Sequence, residues 1–214
     1  MNNPVAEEDE DNRRFLIDVE RWVGLPVESA INPQWLNHSA REVWAKRKFM
    51  CGPKQAPCTT VLKKEARQEW ERHNTHDFIV LGFTADERRR HDRFVLTERS
   101  NVLPVLIEAG ITKADCFEII LCSGLKLPRM YALGYPNANC IGCVKATSAT
   151  YWNHVRRRHP AVFQDRAAQS RSLGARLVRV RGERIFLDEL PEDAIGAPMK
   201  TMQVECGIFC EEKE

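Results

Sequence analysis

Apolar positions along this chain change period several times, and each change predicts an element. Over residues 12–24 they fall on one helical stripe, Phe15, Leu16, Val19, Trp22 and Val23, with Gly24 as a stop. A second helix is expected over 39–49, opened by Ser39 with Glu42 three residues on, the spacing of a capping box. A third is expected over about 59–73. Residues 77–83, DFIVLGF, form a short apolar run rich in β-formers, which suits a buried parallel strand. It leads into Thr84-Ala85-Asp86-Glu87, another capping box, and then into the helical segment ERRRHDRF. A strand feeding a capped helix predicts the α/β class. Further helices are expected over 112–123, 151–159 and 161–173, the last two parted at Pro160. Residues 176–187 read as a hairpin turning at Gly182, and Pro191 and Pro198 punctuate an irregular tail.

Composition narrows the class. At 214 residues the chain is expected to be one domain, or one with a small appendage, and long enough to bury a core. No apolar run approaches the roughly 20 residues that span a bilayer, so no membrane partner is expected. The start, MNNPVAEEDEDN, is acidic and polar. It is expected not to be a signal peptide, and the expected location is cytoplasmic. In a reducing compartment eight cysteines point to metal or redox chemistry more than to a disulfide framework. A net charge of +2 does not by itself imply nucleic-acid binding. Arg156, Arg157, Arg158 and His159 form a basic run on a helix that also carries Tyr151 and Trp152. Cations among aromatics suit base stacking, but such a run is ordinarily a solvated face, and nucleic acid is not the expected partner.

Chemistry concentrates at the cysteines. Cys140 and Cys143 stand at C-x-x-C spacing behind a Gly-Tyr-Pro-Asn turn, where the backbone can aim both sulfurs at one point. That spacing suits a metal and equally a redox dithiol. Cys58 precedes an expected helix start, where the helix dipole, Lys63 and Lys64 favour its thiolate; it makes sense as a third ligand. Cys206, beside Gly207, suits either a redox nucleophile or a further ligand, and Cys210 lies four residues on. A closed zinc site of Cys140, Cys143, Cys206 and Cys210 is the non-enzymatic reading. After the expected strand come Arg88, Arg89, Arg90 and Arg93. Arg89 and Arg93 share a helix face and could grip a phosphate or sulfate; a solvated face balanced by Asp86, Glu87 and Asp92 is the plainer reading. The chain has no G-x-S-x-G, Walker loop or G-x-G-x-x-G, and its six histidines show no H-x-x-x-H or H-E-x-x-H.

These pieces follow one another in a familiar order: CTTVLKK, LGFTADERRRHDRF, VLPVLIEAGITKADCFEIIL, LPRMYALGYPNANCIGC and a terminal ECGIF. In that order the chain resembles the phosphoadenosine phosphosulfate reductase family of adenine-nucleotide α-hydrolase-like proteins. The 127–143 segment is the most specific part. The resemblance implies a partial parallel sheet with flanking helices over 1–145 and a small C-terminal subdomain with a cysteine tail over 146–214. It implies an adenylylated sulfate or other adenine nucleotide as substrate, with Arg88, Arg89, Arg93 and Lys63 on the anion. Cys206 would attack the sulfur, and a thiol donor such as thioredoxin, or Cys210, would resolve the intermediate. Cys58, Cys140 and Cys143, with Cys210 the expected fourth ligand, would hold a 4Fe–4S cluster, zinc being the alternative. Three departures accompany the resemblance. Cys58 is followed by Thr59 where the cluster-bearing branch commonly has a second cysteine, and Phe209 stands where the family has histidine. The S-G-G-K-D-S-like loop that holds the nucleotide phosphate has no counterpart. An inactive relative is therefore the alternative, and a homo-oligomer or partner chain is expected to cover the open sheet edge.

Overall fold

The N-terminal stripe forms α1, Asp11–Val23, in a computed structural model that describes residues 1–52 and 56–199. Gly24 closes the helix at φ 72°, its N–H on the Glu20 carbonyl, the left-handed stop that glycine makes without steric cost. Arg14 fixes the helix in place. Its Nε and one Nη grip both Asp11 oxygens at 2.7 and 2.8 Å, while the guanidinium also donates to the carbonyls of Lys126 and Leu127.

Helix α2 is Ala40–Arg47, with Ser39 Oγ accepting from the Glu42 N–H at 3.2 Å as its N-cap. The other half of the expected capping box does not form, because Glu42 turns to Lys46 and Asn37. Glu7 takes over instead. Its carboxylate accepts from Ser39 Oγ at 2.7 Å and from the N–H groups of Ala40 and Arg41 at 2.7 and 2.9 Å. A carboxylate at a helix N-terminus satisfies donors that would otherwise lack partners.

The third expected helix begins as α3, Pro57–Thr59, widens to a π-helical turn over Thr60–Glu65 and continues as α4, Ala66–His73. Short strand β1, Ile79–Val80, then pairs in parallel with β2, Val102–Leu103, through the 3₁₀ turn Ala85–Glu87 and α5, Arg88–Thr97. Thr84 and Glu87 form the expected cap, Glu87 Oε2 accepting from the Thr84 N–H at 3.2 Å.

The expected 77–83 strand is therefore corrected to two residues. Its alternation explains why: Ile79 and Leu81 pack toward Phe83, Phe94, Val102 and Ile107, whereas Phe78 and Val80 are 59% and 58% exposed. A fully buried parallel strand needs cover on both faces, and this one has it on one. The architecture is mixed α/β, with helix over about 49% of the chain and one small parallel sheet.

Then follow α6, Val105–Glu108; α7, Lys113–Cys122, capped by Thr112 with Asp115; α8, Arg129–Ala132; α9, Ala149–Arg158; and α10, Pro160–Ser172. The hairpin β3, Val178–Val180, and β4, Glu183–Ile185, closes through Arg181-Gly182 at φ 50° and 89°. The main core gathers residues from both sides of position 145, among them Trp44, Met50, Val61, Met130, Val144, Trp152, Leu177 and Leu187. No helix among the described residues is long and apolar enough to cross a membrane.

Candidate functional site

The C-x-x-C segment is built into this core from three directions. Below it, Asp9, with a side chain 2% exposed, accepts from the Asp11 N–H at 2.9 Å and pairs with Arg129 Nη2 at 3.0 Å. That pair holds α8 against the start of α1. Asn12 Nδ2 donates to the Ala138 carbonyl at 3.0 Å, and the Ile141 N–H donates to the Glu7 carbonyl at 2.8 Å. From the opposite side, the Cys143 N–H donates to Tyr151 Oη at 2.9 Å, and Trp152 Nε1 donates to the Ala146 carbonyl at 2.8 Å. The bend between the cysteines is at Gly142, φ 66°, where a Cβ would stand 3.1 Å from Val162 Cγ1, 3.3 Å from Arg166 Cγ and 3.5 Å from Trp152 Cζ3. Only glycine fits that conformation in that space.

The third support is Lys113, the first residue of α7. Its Nζ donates to the Pro136 carbonyl and to Asn137 Oδ1, both at 2.7 Å, while its backbone N–H donates to Asp86 Oδ2 at 3.2 Å. The Phe117 and Tyr131 rings flank the ammonium at 5.7 and 5.5 Å. Burial pushes the Lys113 amine below its ordinary pKa, with the Glu87 charge opposing. One lysine thus joins the turn before Cys140 to the turn before the arginine helix.

Cys140 lines a pocket of about 210 Å³, open mouth included, with Met130, Tyr135, Pro136, Asn137, Asn139 and Tyr151. Most of that volume is the open mouth, and the enclosed part, about 10 Å³, holds roughly one water. Behind the pocket, Tyr135 meets His154 edge to face at 4.6 Å and His159 at 5.8 Å. Tyr135 Oη, His154 Nε2 and His159 Nε2 are buried and have no hydrogen-bond partner among the described residues. The Leu133 carbonyl beside the His154 ring favours its protonated form but does not outweigh burial. Burial lowers the pKa of both histidines and raises that of Tyr135, so all three are neutral near pH 7. Tyr151 is raised well above its ordinary value, first by burial and next by the adjoining Cys143 thiol.

The expected site residues divide as follows. Cys143 is buried in the main core, and Cys58, Cys51 and Cys140 pack against that core from partly buried positions. Among the described residues, however, no group of three or more His, Cys, Asp or Glu side chains is disposed to hold a metal ion. Cys206 and Cys210 lie outside the described residues. Arg88, Arg89 and Arg93 are exposed on α5, while Arg90 turns inward to Glu87 at 2.5 Å and over the Phe83 ring at 5.2 Å. Lys63 sits in the π-helical turn, its side chain 12% exposed and 3.8 Å from Glu8, whose carboxyl burial pushes above its usual pKa. In the basic run, Arg156 is spent on the Leu190 carbonyl, Asn153 and the Phe163 ring, leaving Arg157 and Arg158 exposed.

Asp9, Lys113, Arg129, Tyr135 and the two histidines escaped the sequence reading. His154 and His159 match no metal or catalytic spacing, because their partner is a tyrosine from a different loop. Asp9 sits in an acidic run that reads as solvated. Only Tyr135 carried a local signal, the Gly-Tyr-Pro-Asn turn. Comparison of the chain with protein-family models, with curated proteins and with solved structures gave no match.

Proposed function

We propose that the chain is a thiol-dependent protein of the phosphoadenosine phosphosulfate reductase type, which binds an adenylylated sulfate at the mouth of the Cys140 pocket. The observation that supports this most is the Lys113 tie, which sets the pocket turn beside the turn that opens the arginine helix. The substrate's sulfonate would rest at the open mouth of the pocket, and the exposed guanidiniums of Arg88, Arg89 and Arg93 lie on the neighbouring element for the nucleotide phosphates. Lys63, held by Glu8, serves to anchor the N-terminal segment over Cys58's helix.

In this reading the Cys206 thiolate attacks the sulfur of the activated sulfate. An S–S bond forms as the bond from that sulfur to the bridging oxygen breaks, and the electron pair leaves on the nucleotide phosphate. A second thiolate, from a thioredoxin-class dithiol or from Cys210, then attacks the cysteine sulfur. A disulfide forms and sulfite leaves, the two thiols having supplied two electrons. The neutral His154 behind the pocket is suited to take up a thiol proton.

The described donors do not by themselves make a cluster or zinc site, so no step is routed through a metal. Cys140 and Cys143 could hold one together with Cys206 and Cys210, the set that fits a closed zinc site. That favours a second reading, a zinc-stabilised binding module in which Cys206 is a ligand and not a nucleophile.

Calorimetry with adenosine 5′-phosphosulfate and its 3′-phosphorylated form, paired with sulfite release in the presence of a dithiol, tests the first reading. Binding that weakens at least about tenfold in Arg88→Ala/Arg89→Ala, and turnover lost in Cys206→Ser, is the expected result. An absence of binding to any adenine nucleotide overturns the enzyme. Elemental analysis of anaerobically purified protein separates iron with sulfide from zinc, and neither metal ends both metal readings.

A further inference from the structure

The β3–β4 hairpin carries a concentration of positive charge that the fold does not use. Its inward face is committed to the core: Val178 is fully buried, and Val180 and Ile185 pack against the same cluster. On the outward face Arg179 and Arg184 stand directly opposite one another in the antiparallel register. Like charges directly opposite are destabilising in a sheet. Arg181 occupies the first central position of the two-residue turn at φ 50°, a conformation that asparagine or glycine adopts more readily. Two local choices therefore work against the fold at one place.

Compensation within the chain is slight. Arg176, Arg179, Arg181 and Arg184 are all exposed, and none has a carboxylate within 4 Å among the described residues. Arg184 spends one Nη on the Leu177 carbonyl at 3.1 Å, and Arg176 lies over the Phe186 ring at 5.3 Å. The nearby Asp188 and Glu189 are both taken by Arg171, at 2.7 and 2.9 Å. Glu183, the one carboxylate on the ribbon, pairs in register with Val180 on the opposite face.

We infer that this hairpin is a binding ribbon for the phosphate backbone of a nucleic-acid duplex. Guanidiniums pair with phosphate through two parallel N–H bonds, and a two-stranded ribbon has the width of a duplex major groove. A membrane surface is the poorer fit, because interfacial elements present apolar side chains beside the cations and here the apolar face is buried. The inference is independent of the proposed sulfur chemistry and uses none of its residues.

The test is fluorescence anisotropy of the full chain with a labelled duplex of arbitrary sequence, between 50 and 200 mM salt. Three phosphate contacts, by Arg179, Arg181 and Arg184, predict a roughly 40-fold loss of affinity across that range at about 0.9 counterions per contact. Arg179→Gln/Arg184→Gln is expected to lower the log–log salt slope by about 1.8, and Arg179→Lys/Arg184→Lys to keep it. Arg181→Asn is expected to weaken binding while raising the melting temperature, a combination that a purely structural role does not produce. No duplex binding at 50 mM salt overturns the inference. So do a slope unchanged in the glutamine variant, and binding to anionic vesicles or polyglutamate with none to the duplex.

Discussion

Replacing Gly142 by alanine tests whether the C-x-x-C bend is as tightly held as its surroundings indicate. Two costs add at this position. Forcing an L-residue to φ 66° costs roughly 1–2 kcal/mol, and a Cβ at 3.1 Å from Val162 and 3.3 Å from Arg166 adds an overpacking cost of about 1–3 kcal/mol. Neither neighbour yields easily, since Arg166 is 3% exposed with its guanidinium held over the Trp44 ring at 4.8 Å. The sum, roughly 2–5 kcal/mol, is a large share of an ordinary folding stability of about 5–15 kcal/mol. Gly182→Ala is the natural control. Its φ is 89°, but a Cβ there would meet nothing within 4 Å, so it pays the backbone cost alone. The gain from restricting the unfolded chain is common to both variants and cancels in their difference. Thermal unfolding should place Gly142→Ala about 2–12 °C below Gly182→Ala, at roughly 2–4 °C per kcal/mol for a chain of this size. A Gly142→Ala protein that melts with Gly182→Ala, or above it, would refute the close packing of the bend.

Tyr151→Phe removes the acceptor of the buried Cys143 N–H, so stability should fall by about 1–3 kcal/mol in urea titration. Cys143 should also react faster with a thiol reagent, and an unchanged rate would count against the bond. Lys113→Met keeps the packing on Phe117 and Tyr131 but loses both bonds to the pocket turn. It is expected to weaken sulfonucleotide binding more than it lowers the melting temperature, with equal effects speaking against a positioning role. His154 and His159 have folded pKa values held below the ordinary 6.5, chiefly by burial. The unfolded chain therefore binds more protons, and stability should be full above about pH 6.5 and fall as pH drops below it. In His154→Gln the slope of stability against pH over that window should shrink, and an unaltered slope would exclude His154 from the effect.

What the sequence showed directly was whatever its local physics determined. The α1 stripe ends at the expected Gly24, and the cap at Thr84 formed because donor and acceptor lie three residues apart. The hairpin turned at Gly182, whose φ of 89° suits glycine. The strand at 77–83 was shortened because an apolar run cannot reveal whether a second face will be covered, and Phe78 and Val80 had nothing to cover them. The Ser39 cap was half right, since Glu7 competes for the same N–H groups from far along the chain. At the site, the turn before Cys140 was legible from its Gly-Tyr-Pro-Asn residues, whereas the bend at Gly142 was not. The Tyr135, His154 and His159 cluster was not, because its members meet only through tertiary packing.

Glu7 has a consequence for the order in which the molecule can assemble. Its carboxylate caps α2, its carbonyl receives Ile141, and its neighbours Asp11 and Asn12 take Arg129 and Ala138, contacts that span 118 and 126 residues. Bringing together points so distant in the chain costs about 4 kcal/mol of loop entropy, against which a few hydrogen bonds return little until the core between them exists. During synthesis the first dozen residues must therefore wait, with α2 capped early and the cysteine loop fastened only after position 141 has emerged. The pocket at Cys140, which Tyr151 also lines, can thus close only after both of those segments have emerged, and a weakened N-terminal segment would loosen it.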